Sequence, residues 1–254
     1  MKKKFIIFTS SRAEYGIMKN LIKKMQKTFN TKLIVTGAHL SSKYGNTISE
    51  IYKDKIKIYK KIQILNNTDQ KGIAKTISNG VIKFSKLLKK EKVHAILVCG
   101  DRYETLCPCI AATLYKIPII HFHGGEITKG SYDDIFRHMI TKMSSLHFVS
   151  HKIYKKRVIQ LGENKENIYN IGAIALSNNK EKLYEKNDLE KKLNIKFNKK
   201  NFLIVIHPET QSNNSEKILK NEGLLKKDDT FVLTSGVPVA VTGSTNMLRI
   251  HKIS

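Results

Sequence analysis

The sequence predicts an α/β fold built on a parallel sheet, and three observations carry that prediction. Short apolar runs of strand length recur along the first 173 residues, separated by stretches whose apolar positions follow helical spacing. Several of these runs lead directly into glycine, serine or titratable residues, as strands do where an open α/β sheet builds a site. A chain of 254 residues with 41% apolar composition is also long enough to bury a large core.

Lys4 to Thr9 reads as the first strand, followed by the polar turn Ser10 to Gly16. The next helix is predicted over Ile17 to Gln26, with Ile17, Leu21, Ile22 and Met25 on one face. Its N-terminus follows small polar residues and suits a phosphate, although an ordinary capped helix explains the same letters, since G-x-G-x-x-G is missing. Lys32 to Thr36 is the second strand, leading into Gly37-Ala38-His39. Tyr44 to Thr47 opens a helix that contains Ile48 and Ile51, and Lys55 to Ile64 alternates as a third strand. Gly72 to Glu91 places Ile73, Ile77, Val81, Phe84, Leu87 and Leu88 on one helical stripe, with lysines opposite.

Ala95 to Val98 is a buried strand that ends in Cys99-Gly100-Asp101-Arg102-Tyr103-Glu104. An acid and an arginine just past a strand end are placed for catalysis or phosphate binding. An Asp N-cap with Glu three residues on, a capping box, suits the same segment. Thr105 to Tyr115 is the following helix, and Ile117 to His121 the following strand.

The densest chemistry lies in His121 to Lys142, HFHGGEITKGSYDDIFRHMITK. It places His121, His123, Glu126, Asp133, Asp134, Arg137 and His138 between a strand end and a helix predicted from Asp133 to Ser144. A surface loop with a helix cap rarely concentrates titratable groups to this degree, which points to an active site. A metal-dependent hydrolase using His121, His123, Glu126 and Asp133 is a rival arrangement of the same letters.

Leu146 to Val149, a helix over Ile153 to Leu161 and a strand over Ile168 to Ile171 complete the alternation, so one domain is expected over 1–175. Residues 176–200 are polar and lysine-rich, a linker that includes a helix. A buried strand, Phe202 to Ile206, then delivers His207 and Glu209 and opens a second α/β domain over 201–218. From 219 to 254 the pattern changes to short strands at Thr230 to Thr234, Val239 to Val241 and Met247 to Ile253, joined by glycine-rich turns.

Composition excludes several classes. No apolar run approaches the roughly 18 residues of a membrane span, and the run after Met1-Lys2-Lys3-Lys4 covers only Phe5 to Phe8, so no signal peptide or membrane partner is expected and the chain reads as cytoplasmic. The net charge is +25, yet only Arg12, Arg102, Arg137, Arg157 and Arg249 are arginines, and the lysines are scattered without interleaved aromatics. Nucleic acid is therefore not the expected partner, whereas an anionic substrate is. Cys99, Cys107 and Cys109 lack metal-site spacing and read as buried reduced thiols.

Five segments together resemble a known family: Ser10 to Gly16, Gly100 to Glu104, His121 to Glu126, Asp133 to Lys142, and His207-Pro208-Glu209-Thr210. The family is the hydrolysing UDP-N-acetylglucosamine 2-epimerases of sialic-acid-type sugar synthesis, and the resemblance covers residues 1 to about 212. It implies two Rossmann-like domains of the glycosyltransferase-B type with the site between them, here with the second domain truncated and replaced by a short β-rich tail. It implies loss of UDP from UDP-GlcNAc with removal of the C2 proton, then addition of water to give N-acetylmannosamine, with no metal or cofactor. By position the resemblance makes Asp101, His123, Glu126 and Asp133 catalytic, and Arg12, Arg102, Arg137, His138, His207 and Glu209 substrate-binding. Some family branches carry Glu where His123 stands, which leaves the C2 base open among His123, Glu126 and Asp133 and admits a UDP- or GDP-linked 2,4-diacetamido sugar. A chain that binds the nucleotide sugar without turnover is the other alternative, and a homodimer is the only protein partnership considered. Residues 223–253 resemble instead the C-terminal end of pyruvate kinase, which sets a junction near 213–223.

Overall fold

In the computed structural model the described residues are 2–66, 69–128, 131–178 and 184–197, with the strands 202–205, 230–235 and 247–252. They divide into two compact units, Met1–Lys180 and Glu181–Ser254.

The first unit is a seven-stranded sheet in the order β3-β2-β1-β4-β5-β6-β7. Its strands are β1 (Lys4–Thr9), β2 (Asn30–Thr36), β3 (Ile58–Ile62), β4 (Ala95–Cys99), β5 (Ile119–Phe122), β6 (Leu146–Val149) and β7 (Ile168–Asn170). Every neighbouring pair is parallel. The helices between them are α1 (Arg12–Thr28), α2 (Ile48–Lys53), α3 (Gln70–Lys90), α4 (Tyr103–Leu114), α5 (Asp133–Met143) and α6 (Lys152–Gln160). The chain winds outward in one direction from β1 and in the other from β4, so the crevice between the ends of these two strands is the topological switch point.

Side-chain alternation along the strands divides the core into two layers. Ile6 and Phe8 of β1 pack with Phe84, Leu87 and Leu88 of α3, Leu106 and Ala111 of α4, and Ile140 of α5. Ile7 points the other way, onto Tyr15, Met18 and Ile22 of α1 and Ile51 of α2. Both faces of β1 are thus buried, as a parallel strand covered on two sides requires. Each fully buried isoleucine in these layers contributes on the order of 1.5–3 kcal/mol. Helices α3 and α4 approach closely at Gly80, where a Cβ would stand 2.7 Å from Cys107 Sγ.

Several boundaries differ from the sequence expectation. Helix α1 starts at Arg12, so the segment read as a polar turn is its first turn, capped at Ser11. Arg12, Ala13 and Glu14 are good helix formers, and the one poor former there, Gly16, does not outweigh them. The third strand is shorter than its alternation suggests, because Lys55 takes a left-handed φ of 54° and ends the preceding helical segment. Gly37–Leu40 and Ser42–Tyr44 form two turns of 3₁₀ helix after β2 that no periodicity announced.

The second unit contains α7 (Lys186–Leu193), in the stretch expected as a linker with a helix. It also holds a three-stranded sheet of β8 (Phe202–Val205), β9 (Thr230–Ser235) and β10 (Met247–Lys252), in the order β10-β9-β8. β8 and β9 are parallel and β9 and β10 antiparallel. His207, Glu209, the junction near 213–223 and the strand expected at Val239 to Val241 lie outside the described residues. Among the described residues no helix is long and apolar enough to cross a membrane.

Candidate active site

The site forms where β4, β5 and β6 end. β4 runs into Gly100, whose φ of 79° is open to glycine and turns the chain so that Asp101 leaves the sheet. Asp101 is not the cap of α4: Arg102 takes the cap position and the helix starts at Tyr103. Its carboxylate receives Arg137 Nη2 from α5. Arg137 is 5% exposed and has further contacts, donating from Nη1 to Glu126 Oε2 at 3.2 Å and from Nη2 to Thr128 Oγ1 at 3.0 Å. One guanidinium therefore joins the ends of β4 and β5.

The end of β5 is a tight turn through His123, Gly124 and Gly125, with φ of 63° at His123 and 77° at Gly125. A Cβ at Gly125 would lie 2.6 Å from Tyr154 O, so only glycine fits against α6. The backbone N–H of His123 donates to Phe148 O of β6 at 2.9 Å. The turn delivers Glu126, which meets His123 Nδ1 at 2.7 Å and accepts from Ser150 Oγ at 2.7 Å. Burial alone would raise the carboxyl's pKa. The His123 and Ser150 hydrogen bonds and the His123 and Arg137 charges outweigh it and hold the group down at about 2.

His121, inside β5, is fully buried, and its Nε2 donates to Gly100 O at 2.8 Å. Burial lowers its pKa to about 3, so the ring is neutral. That hydrogen bond occupies one of its two ring nitrogens, and among the described residues no group of three or more His, Cys, Asp or Glu is arranged to hold a metal ion.

The two acids opening α5 divide their work. Asp134 Oδ1 accepts from the Thr128 N–H at 3.0 Å, and its other oxygen lies 3.6 Å from His138 Nε2. Asp133 Oδ2 accepts from Ser131 Oγ at 2.9 Å. Both carboxylates stand where the positive end of the helix dipole favours them.

At the switch point Arg12 is exposed at the first position of α1, next to a buried Ser11. Glu14 is buried and accepts from Ser10 N at 2.7 Å, Ser10 Oγ at 2.8 Å and Thr105 Oγ1 at 2.8 Å, tying α1 to α4. Burial raises its pKa against the pull of the Arg102 charge. Arg102 itself donates from Nη2 and Nε to the two carboxylate oxygens of Glu104, at 2.8 and 3.1 Å. The three cysteines are free and buried.

The fold thus brings together Asp101, His123, Glu126 and Arg137, and sets Asp133 and His138 on the helix that carries Arg137. The sequence reading does not name Ser150 or Thr128, and it gives Asp134, named within the cluster, no role of its own. Ser150 had a signal, since it directly follows Val149 at the end of β6, within two residues of a strand end like Asp101 after β4.

A family model described as UDP-N-acetylglucosamine 2-epimerase matches residues 23–243. A GDP/UDP-N,N'-diacetylbacillosamine 2-epimerase (hydrolyzing) from Campylobacter jejuni is 41% identical over 257 residues, covering 99% of this chain and 66% of the relative. The polysialic acid biosynthesis protein P7 of Escherichia coli is 42% identical over 84% of this chain and 55% of its own length. The chain therefore spans less than two thirds of either relative. The match to the first runs on through the stretch that resembles pyruvate kinase. In fold, the chain is similar to the UDP-GlcNAc 2-epimerase from Neisseria meningitidis solved bound to UDP-GlcNAc, with a TM-score of 0.66 at 23% identity, over 87% of this chain and 62% of that one.

Proposed function

Because the chain belongs to the UDP-N-acetylglucosamine 2-epimerase family, we propose that it carries the chemistry of a hydrolysing 2-epimerase acting on a UDP-linked 2-acetamido sugar. In that reaction a base removes the C2 proton, the C1–O bond to the diphosphate breaks with its electron pair leaving on UDP, and a C1–C2 double bond forms. Water then adds its oxygen at C1 while a proton enters C2 on the opposite face. With UDP-GlcNAc the products are UDP and N-acetylmannosamine.

The observation that carries this reading is the continuous link Asp101–Arg137–Glu126–His123 across the ends of β4 and β5. It provides groups able to exchange protons within one rigid frame, as elimination and hydration at adjacent carbons require. Exposed Arg12, at the switch point, supplies a cation for the leaving diphosphate. Asp133 stands as a further acid at the first turn of α5, and His207 and Glu209 are assigned to the substrate from the family motif alone. The reading requires no metal or cofactor and places the chain in a cytoplasm.

A second substrate is favoured by one specific observation, the 41% identity to a relative named for N,N'-diacetylbacillosamine. The full chain, incubated with UDP-GlcNAc and with UDP-N,N'-diacetylbacillosamine, is expected to release UDP, with NMR showing the free C2-inverted sugar from whichever is the substrate. UDP binding without release from either would replace the enzyme reading with that of a nucleotide-sugar-binding chain.

A further inference from the structure

Resting on the epimerase reading, we infer that His123 is the base that takes the sugar C2 proton, with Glu126 as the positioning residue that sets its tautomer. Three donors converge on the Glu126 carboxylate. Oε1 meets His123 Nδ1 and Ser150 Oγ, both at 2.7 Å, and Oε2 meets Arg137 Nη1 at 3.2 Å. A carboxylate held in this way is an acceptor, and protonating it would break the contacts that fix the turn. The hydrogen between it and the imidazole therefore sits on Nδ1, which leaves Nε2 as the nitrogen that can take a proton. That nitrogen is buried and meets no hydrogen-bond partner among the described residues.

The other candidates are occupied or placed elsewhere. His121 gives its Nε2–H to Gly100 O. His147 and His138 also pair one nitrogen with a carboxylate and leave the other buried without a partner, but they do so against Glu163 and Asp134, outside the Asp101–Arg137–Glu126 link. Asp101 is ion-paired with Arg137, and Asp133 accepts from Ser131. The backbone at His123 is also unusual for this cluster. Its φ of 63° is uncommon for a residue with a side chain and is held by Gly124, Gly125 and the hydrogen bond to Phe148 O. The side chain is 13% exposed, and Nε2 is its buried, unpartnered atom.

In the step itself Nε2 accepts the C2 proton, the C2–H electron pair becomes the new C1–C2 bond, and the C1–O pair leaves with UDP. The imidazolium then holds its Nδ1–H against the Glu126 anion, which stabilises the charge that forms. This is how a carboxylate serves a histidine base elsewhere.

The test compares wild type, His123→Gln and Glu126→Gln with UDP-GlcNAc, across pH, together with long-range ¹⁵N NMR of the histidine rings. His123→Gln is expected to lower kcat by about 100-fold or more, with KM changed by less than about 3-fold. The fall of kcat/KM at low pH should vanish in its residual activity, and added imidazole should restore part of the rate of His123→Ala. Glu126→Gln should cost about 10-fold in kcat and move that fall to a different pH while leaving it present. Besides Glu126, His121 lies within electrostatic reach of the ring and Arg137 shares the Glu126 carboxylate, and neither is altered in these variants. The NMR spectrum should show the Nδ1–H tautomer at His123. A His123→Gln enzyme that keeps both its rate and the low-pH fall overturns the proposal, as does an Nε2–H tautomer. If wild type releases no UDP, the epimerase reading fails, and the tautomer alone then decides whether His123 is set as a base.

Discussion

Arg137 reaches Asp101 and Glu126 from a helix to which neither belongs, at only 5% exposure. Removing it would leave two partly buried carboxylates facing each other without a counter-charge. Arg137→Ala is expected to lower stability by about 3 kcal/mol and turnover by about 100-fold or more, measured by urea unfolding and UDP release. Arg137→Lys keeps the charge but not the fork, so it should recover stability more than turnover. Histidines set the acid limit. Burial holds the imidazoles of His39 and His121 down at about 4 and about 3, against about 6.5 in the unfolded chain. Because the unfolded form binds protons that the folded form refuses, their contribution is complete above about pH 6.5 and is lost as pH falls toward 4 and 3. Glu126 adds a second loss from its usual value of 4.5 down to about 2. The urea midpoint should therefore fall steadily below pH 6.5, and His39→Gln should flatten the first part of that slope.

At the scale of elements, the helical glycines Gly16 and Gly80 separate propensity from packing. A Cβ at Gly16 would meet nothing within 4 Å, while at Gly80 it would press on Cys107 Sγ at 2.7 Å. Gly16→Ala is expected to be neutral or to stabilise by up to about 1 kcal/mol, and Gly80→Ala to destabilise by about 1–3 kcal/mol, compared by thermal melts. The same contrast explains what the sequence discloses. Strands β1, β4 and β6 and helices α3 and α5 were legible because their apolar spacing is strong and their ends carry clear stops. The 3₁₀ turns at Gly37–Leu40 were not, since their conformation depends on a close approach, with a Gly37 Cβ only 2.7 Å from Ser10 O. The site's residue types were legible at strand ends, but its wiring was not. Adjacent Asp133 and Asp134 point about 100° apart on a helix, and no local pattern says which bonds Thr128. The Arg137–Asp101 pair spans 36 positions of sequence and exists only through the sheet order.

For the whole molecule, 46 basic residues stand against 21 acidic ones. Self-repulsion of that size lowers stability at low ionic strength and is screened within about 10 Å at 0.1 M salt. The melting temperature should therefore rise by a few degrees between low salt and about 0.2 M sodium chloride, a change readable by calorimetry. Residues 1–180 contain the complete seven-stranded sheet with both its core layers, and expressed alone they are expected to unfold in one cooperative transition. Such a sheet has two open margins, β3 and β7, and each is unfit as a template for a neighbour. β7 is three residues long, and β3 turns Tyr59, Lys60 and Lys61 to solvent. Two adjacent ammonium groups on a backbone that still has hydrogen bonds to give make the approach of a second, identical edge repulsive. In a chain so rich in isoleucine, such edges are expected to keep crowded copies from seeding fibres. Replacing Lys60 and Lys61 by valine should expose that hazard as thioflavin-positive growth under conditions where the parent chain stays clear.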